Sequence, residues 1–406
     1  MGTTDTDVEP KKTYRFAVIG GGGYLGQVLI QELLEEGHEV AALDMVFSKF
    51  INIDINWKKV KVIRGSLMEL DKLKHVLEGA DACFHLAAYG MSGGASLNKE
   101  ATHLINVEGT ARILEQCELA GVGRFIYTST VGVVFGEHEV RDLPTSAPYV
   151  TKFLTPYAES KCIAEKLVLK AAKSGKLATC ALRLRGIYGP GEMRSTQKTV
   201  DMCSWTFASF EKTTPCLSQY SGAKNTTMAL RLAEISLRAG SKSPANGNPY
   251  HIVDDGPPVD NLGFWYPLFK LQGANPPKFR IPYQLVYFIA FLLEWLYHVF
   301  KIEPLLTRFE VNLLAITNTY SIEEAKRDFG YAPVNNHCLK STVQYYEDLE
   351  QKKRGLRLKN PAIETESIWS RILYFIAMGL FLSSIVPFLS EAIHEVGPIG
   401  ENYTLF

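Results

Sequence analysis

From Arg15 to about Leu184, apolar runs of strand length alternate with amphipathic runs of helix length. The segments "RFAVI", "HEVAALD", "KVKVIRG", "DACFHLAA", "RFIYTS" and "ATCALRL" read as strands, with helical periodicity between them. Strands that alternate with helices pair in parallel through right-handed crossovers. The pattern therefore predicts an α/β fold, a doubly wound parallel Rossmann sheet over 13–192, with its ligand edge where the strands end. Past "GIYGPGE" (186–192) the alternation fades into stretches rich in Pro, Gly and Asn, which predicts a smaller C-terminal substrate lobe over 193–350. The acidic residues 1–12 carry no apolar run and read as a disordered N-terminus without a signal peptide.

Two later apolar segments stand apart. In "QLVYFIAFLLEWLYHVFKI" (284–302), Glu294, His298 and Lys301 fall at i, i+4 and i+7 and draw a polar stripe along an otherwise apolar helix. Such a helix lies in a membrane interface or lines a greasy entrance; a buried core helix is the alternative. The run "ILYFIAMGLFLSSIVPFLS" (372–390) has no charged residue and as a helix would span about 28 Å, close to the hydrocarbon thickness of a bilayer. It reads as a transmembrane helix. The linker 351–371 holds Lys352, Lys353, Arg354, Arg357, Lys359 and Arg371, whereas the tail 391–406 has no Lys or Arg, so the large N-terminal part is expected on the cytosolic side.

Composition narrows the function classes. Lys plus Arg and Asp plus Glu both total 43, so no global field draws the chain toward nucleic acid. The seven cysteines form no CxxC, which argues against a disulfide framework and against a zinc site, and no metal is expected.

The candidate chemistry begins at "GGGGYLG" (20–26), where Gly20, Gly23 and Gly26 follow a strand and open a helix. Glycine is needed where backbone turns sharply and approaches a pyrophosphate, and the first helical N–H groups, at Tyr24 and Leu25, are free for phosphate. Asp44 ends the second strand 18 residues past Gly26. Its carboxylate would accept from a ribose hydroxyl and repel a 2′-phosphate, so NAD is expected over NADP. Further on, "YAESK" sets Tyr157 one helical turn before Lys161, behind Thr155 and Pro156 as N-cap and first residue. A tyrosine has a pKa of about 10, and an adjacent ammonium favours its phenolate.

These motifs together resemble the extended branch of the short-chain dehydrogenase/reductase family, over roughly residues 14–350. "HLAA" (85–88), "NVEGT" (106–110), "YTST" (127–130) and "LRLRGIYGPG" (182–191) are similar to that family's ordered motifs. Within it the chain is most similar to the 3β-hydroxysteroid dehydrogenase group and its 42E subfamily, through "GGGYLGQ", "RFIYTST" and "EEAKRDFGYAP". The resemblance implies catalytic roles for Tyr157 as base, for Lys161, which also contacts the nicotinamide ribose, and for Thr130 or Ser129 as the active-site hydroxyl. It gives Asn106 an organising role, sets Ala87 beneath the adenine ribose and sets Tyr188 beside the nicotinamide. His85 reads as a core histidine.

The implied activity is that of a membrane-bound NAD-dependent oxidoreductase of the endoplasmic reticulum. It would oxidise a secondary 3β-hydroxyl of a hydrophobic steroid or sterol substrate to a ketone. Family members often pair as homodimers. A nucleotide-sugar epimerase or dehydratase, or a non-catalytic NAD-binding membrane scaffold, would use the same fold.

Overall fold

The computed structural model describes residues 12–201, 208–273, 277 and 279–359. The transmembrane expectation at 372–390 and the N-terminal stretch up to residue 11 lie outside them.

The six expected strands form. They are β1 (Arg15–Ile19), β2 (Glu39–Asp44), β3 (Val60–Arg64), β4 (Ala82–His85), β5 (Arg124–Thr130) and β6 (Ala178–Leu184). A seventh, β7 (Asn248–Ile252), comes from beyond residue 193 and pairs with β6, Pro249 opposite Ala181. Its proline is compatible with this place because β7 is an edge strand, where a missing N–H costs no ladder bond. The sheet order is β7-β6-β5-β4-β1-β2-β3, all parallel. Strand order reverses between β1 and β4, which opens a crevice at their carboxyl ends.

Alternation along β1 feeds two cores. Phe16 and Val18 pack with Leu29, Ile30 and Leu33 of helix α1 (Tyr24–Glu35), whereas Ala17 and Ile19 pack on the opposite face. That second face is covered by α2 (Leu70–Leu77), α3 (Gly109–Leu119) and α4 (Pro156–Ala171) through Leu73, Ile113 and Val168. Helix α5 (Ala223–Leu237) joins α1 on the first face through Ala229 and Leu230.

A smaller sheet takes strands 259–260, 217–218, 318–320 and 140–143 in that order. Because Val140–Leu143 follows β5 directly, the lobe is built from both halves of the chain.

Helix α6 (Tyr283–Phe300) is the one segment among the described residues that is long and apolar enough to cross a membrane. Half of its residues are exposed, among them Leu285, Phe288, Ile289, Trp295 and Val299, and few are buried. The buried-core alternative therefore does not describe it. Its polar stripe divides: Glu294 is buried and accepts from the Arg308 backbone N–H at 2.6 Å and side chain at 2.7 Å, while His298 and Lys301 are exposed.

Candidate active site

The crevice between β1 and β4 holds a cavity of about 420 Å³. Gly20, Gly23, Tyr24, Leu25, Gly26, Asp44 and Ala87 all line it. Gly20 has φ +93°, and a Cβ there would lie 2.6 Å from the Ala87 nitrogen. A Cβ on Gly26 would lie 2.3 Å from the Gly20 carbonyl oxygen. Only glycine permits these approaches, and no side chain caps Gly23 at the start of α1. Asp44 Oδ2 accepts from the Gly22 N–H at 3.0 Å, so the carboxylate braces the glycine loop and faces the cavity. A glycine cradle, uncapped helical N–H groups and a terminal carboxylate fit a dinucleotide.

Helix α4 starts as its residues dictate. Thr155 Oγ1 accepts from the Ala158 N–H at 3.3 Å, and Pro156 opens the first turn. Tyr157 and Lys161 are both buried on this helix. The Lys161 ammonium donates to the Thr128 carbonyl of β5 at 2.6 Å and lies 4.1 Å from the centre of the Tyr127 ring. Burial pulls its pKa down to about 7, with Glu165 acting in the opposite sense.

Burial also holds the Tyr157 phenol well above its ordinary value, and the cation that lowers it is Arg194, which lines the cavity. The Lys161 ammonium donates to the strand carbonyl, and Arg194, a loop residue with no motif signal, is a cation that acts on the Tyr157 phenol.

The two candidate hydroxyls face different surroundings. Ser129 donates to Glu165 inside a buried cluster, where Arg183 pairs with Glu165 at 2.7 Å and the Tyr149 hydroxyl donates to it at 2.9 Å. Thr130 is half-buried, and among the described residues its Oγ1 makes one hydrogen bond, accepting from the Gly132 N–H at 3.2 Å. Thr130 is therefore the hydroxyl left open at the strand end, and Ser129 is committed to the core. The helical spacing 157, 161, 165 on one face was the signal for Glu165.

Asn106 lies in a π-turn, His103–Glu108, and ties two walls of the crevice together. Its Nδ2 donates to the Tyr89 carbonyl and to Ser160 Oγ, both at 2.9 Å, and its Oδ1 accepts from the Tyr89 N–H at 2.8 Å. Ser160 Oγ in turn donates to the Tyr157 carbonyl at 2.8 Å.

Tyr188 does not line the cavity. Its hydroxyl donates to Asp254 at 2.6 Å, and Ile187 turns inward instead, because successive strand residues face opposite sides. His85 contacts Thr110 Oγ1 at 3.0 Å, and burial lowers its pKa to about 3, so it stays neutral. Glu192 was missed by motif reasoning. It accepts from the N–H groups of Arg194, Ser195 and Thr196, each at 2.8 Å, and so sets the loop that carries Arg194.

A pH test isolates Lys161. Its folded pKa lies below the ordinary 10.5, so the unfolded chain binds more protons between about pH 7 and 10.5. Its contribution to stability rises with pH across that window. Denaturant unfolding should show wild type gaining stability from pH 7 to 10 relative to Lys161→Met, and parallel curves would contradict the burial argument.

Comparison with known proteins agrees with this architecture. A model of the 3-beta hydroxysteroid dehydrogenase/isomerase family matches residues 17–283. Short-chain dehydrogenase/reductase family 42E member 1 from Xenopus laevis is 34% identical over 382 residues, covering 91% of this chain and 96% of that protein. A 3-beta-hydroxysteroid dehydrogenase from Mycolicibacterium neoaurum is 30% identical, covering 82% and 92%. Among solved structures, the dTDP-glucose 4,6-dehydratase DesIV from Streptomyces venezuelae, with NAD bound, superposes with a TM-score of 0.62 at 20% identity, covering 82% and 97%. That last likeness concerns the fold.

Proposed function

The chain belongs to the 3-beta hydroxysteroid dehydrogenase/isomerase family and is an oxidoreductase of the short-chain dehydrogenase/reductase type, and from that premise we propose that it oxidises the 3β-hydroxyl of a membrane-borne steroid or sterol with NAD. The observation that carries the reading is the glycine-lined cavity at the carboxyl ends of β1 and β4, which has Asp44 in its wall and is also lined by Arg194, the cation that lowers the pKa of the buried Tyr157.

When bound, the nicotinamide would take the hydrogen on the carbinol carbon as hydride. Tyr157 exchanges the hydroxyl proton, and Thr130 holds the reacting oxygen through its open hydroxyl. Arg194 offsets part of the cost of a buried phenolate. Lys161 anchors α4 to β5 through the Thr128 carbonyl. Asn106 keeps the Tyr157 turn in register with the cavity wall at Tyr89. Asp44 favours a free ribose 2′-hydroxyl, which supports NAD over NADP.

Membrane attachment is supported by the outward apolar face of α6 and by the apolar run at 372–390, with the catalytic part on the cytosolic side of the endoplasmic reticulum. The purified full-length protein in detergent, given NAD and a panel of 3β-hydroxysteroids and sterols, is expected to form NADH, and more slowly NADPH from NADP. No reduced dinucleotide across the panel would overturn the reading. Carbonate extraction should leave the chain in the membrane fraction.

A further inference from the structure

A second cavity, about 330 Å³, lies beneath α6, within the range of small-molecule sites. Its walls are Trp265, Phe269, Ala290, Leu293, Val311 and Leu314. None of the residues assigned above to dinucleotide binding or proton transfer lines it. The polar side chains in its wall are largely committed. Asn261 accepts from the Tyr220 hydroxyl and donates to the Leu314 carbonyl at 2.8 Å, Trp265 Nε1 donates to Tyr220 at 2.9 Å, and Thr199 donates to the Ser195 carbonyl at 2.7 Å. Ser209 and Glu211, both partly exposed, complete the polar lining.

Two shared elements contribute to the walls or surroundings of both cavities. Arg194, just before the helix Ser195–Asp201, lines the dinucleotide cavity, and Thr199 within that helix lines the apolar one. On α6, Leu293 lines the apolar cavity, and one turn later Tyr297 packs against Gly94, close to the cavity-lining Met91.

We propose that this cavity receives the far end of the substrate, the end remote from the reacting hydroxyl, and that it selects substrates whose far end is hydrocarbon over those that carry a charged group there. The inference rests on the dehydrogenase reading and adds its substrate class. A hydrocarbon end needs no hydrogen bonds, and most of this wall is apolar or already hydrogen-bonded. A carboxylate end would be stripped of water among apolar side chains, and the one acidic or basic side chain in the wall is Glu211, which offers it no counter-charge.

The test uses the full-length protein in detergent and two 3β-hydroxysterols with one ring system, one ending in a saturated chain and the other in a carboxylate. Wild type should favour the hydrocarbon-ended sterol at least tenfold in kcat/KM. Leu293→Trp, or Ala290→Leu if the first does not fold, should shrink that preference by lowering kcat/KM for the hydrocarbon-ended sterol. Equal kcat/KM in wild type, or an unchanged preference in the folded variant, would overturn the proposal while leaving the dehydrogenase reading in place.

Binding is read separately, by energy transfer from tryptophan to a fluorescent polyene sterol, compared with Trp265→Phe. Transfer that depends on Trp265 without turnover of either sterol would support the cavity as a sterol site and count against the dehydrogenase reading. Absence of Trp265-dependent transfer would overturn the cavity assignment whatever the turnover.

Discussion

Tyr157→Phe is expected to lower turnover of a 3β-hydroxysteroid by about 10²–10⁴-fold, the usual contribution of a positioned proton-transfer group. Dinucleotide affinity should stay near that of wild type, because Tyr157 is absent from the lining of the glycine-rich cavity. Among the described residues the phenol makes no hydrogen bond that the substitution would break, so the fold should be kept. The pH profile adds a signature. Burial holds the phenol protonated through neutral pH, so wild-type oxidation should climb as pH rises and the phenolate fraction grows. The residual rate of the Phe variant should lack that climb. Steady-state NADH formation from pH 6 to 10 reads both, and a variant with wild-type turnover would remove Tyr157 from the reaction.

The second large effect concerns stability. Arg183→Met would leave Glu165, fully buried, without its counter-charge, at an expected cost of about 3–5 kcal/mol. Removing both charges, with Arg183→Met and Glu165→Gln together, should recover much of that loss, because a neutral amide can still meet Ser129 and Tyr149. Urea unfolding of the single and double variants measures the difference. A single variant within about 1 kcal/mol of wild type would mean that the pair behaves like a surface ion pair.

The glycine cradle, Asp44 and the first six strands were legible because each rests on local backbone rules. A strand must alternate or run apolar, and a close approach requires a residue without Cβ. β7 was hidden because "NPYHI" begins with Asn and Pro, and only its place at the sheet edge makes that sequence acceptable as a strand. Arg194, Glu192 and the division between Ser129 and Thr130 were hidden for another reason. Which hydroxyl is buried depends on Glu165, which reaches Ser129 from a helix, and on Arg183 of the neighbouring strand, which holds Glu165.

Sequence alone determined the class of sheet, the dinucleotide crevice and the helix that carries Tyr157 and Lys161, since periodicity, glycine geometry and capping act over a few neighbouring residues. Tertiary structure alone decided where charge acts. It turned Glu294 inward to Arg308, tied Lys161 to β5 and set Arg194 where its charge acts on Tyr157. Electrostatic interaction depends on distance through space and on burial, and neither quantity is written in the spacing of residues along the chain.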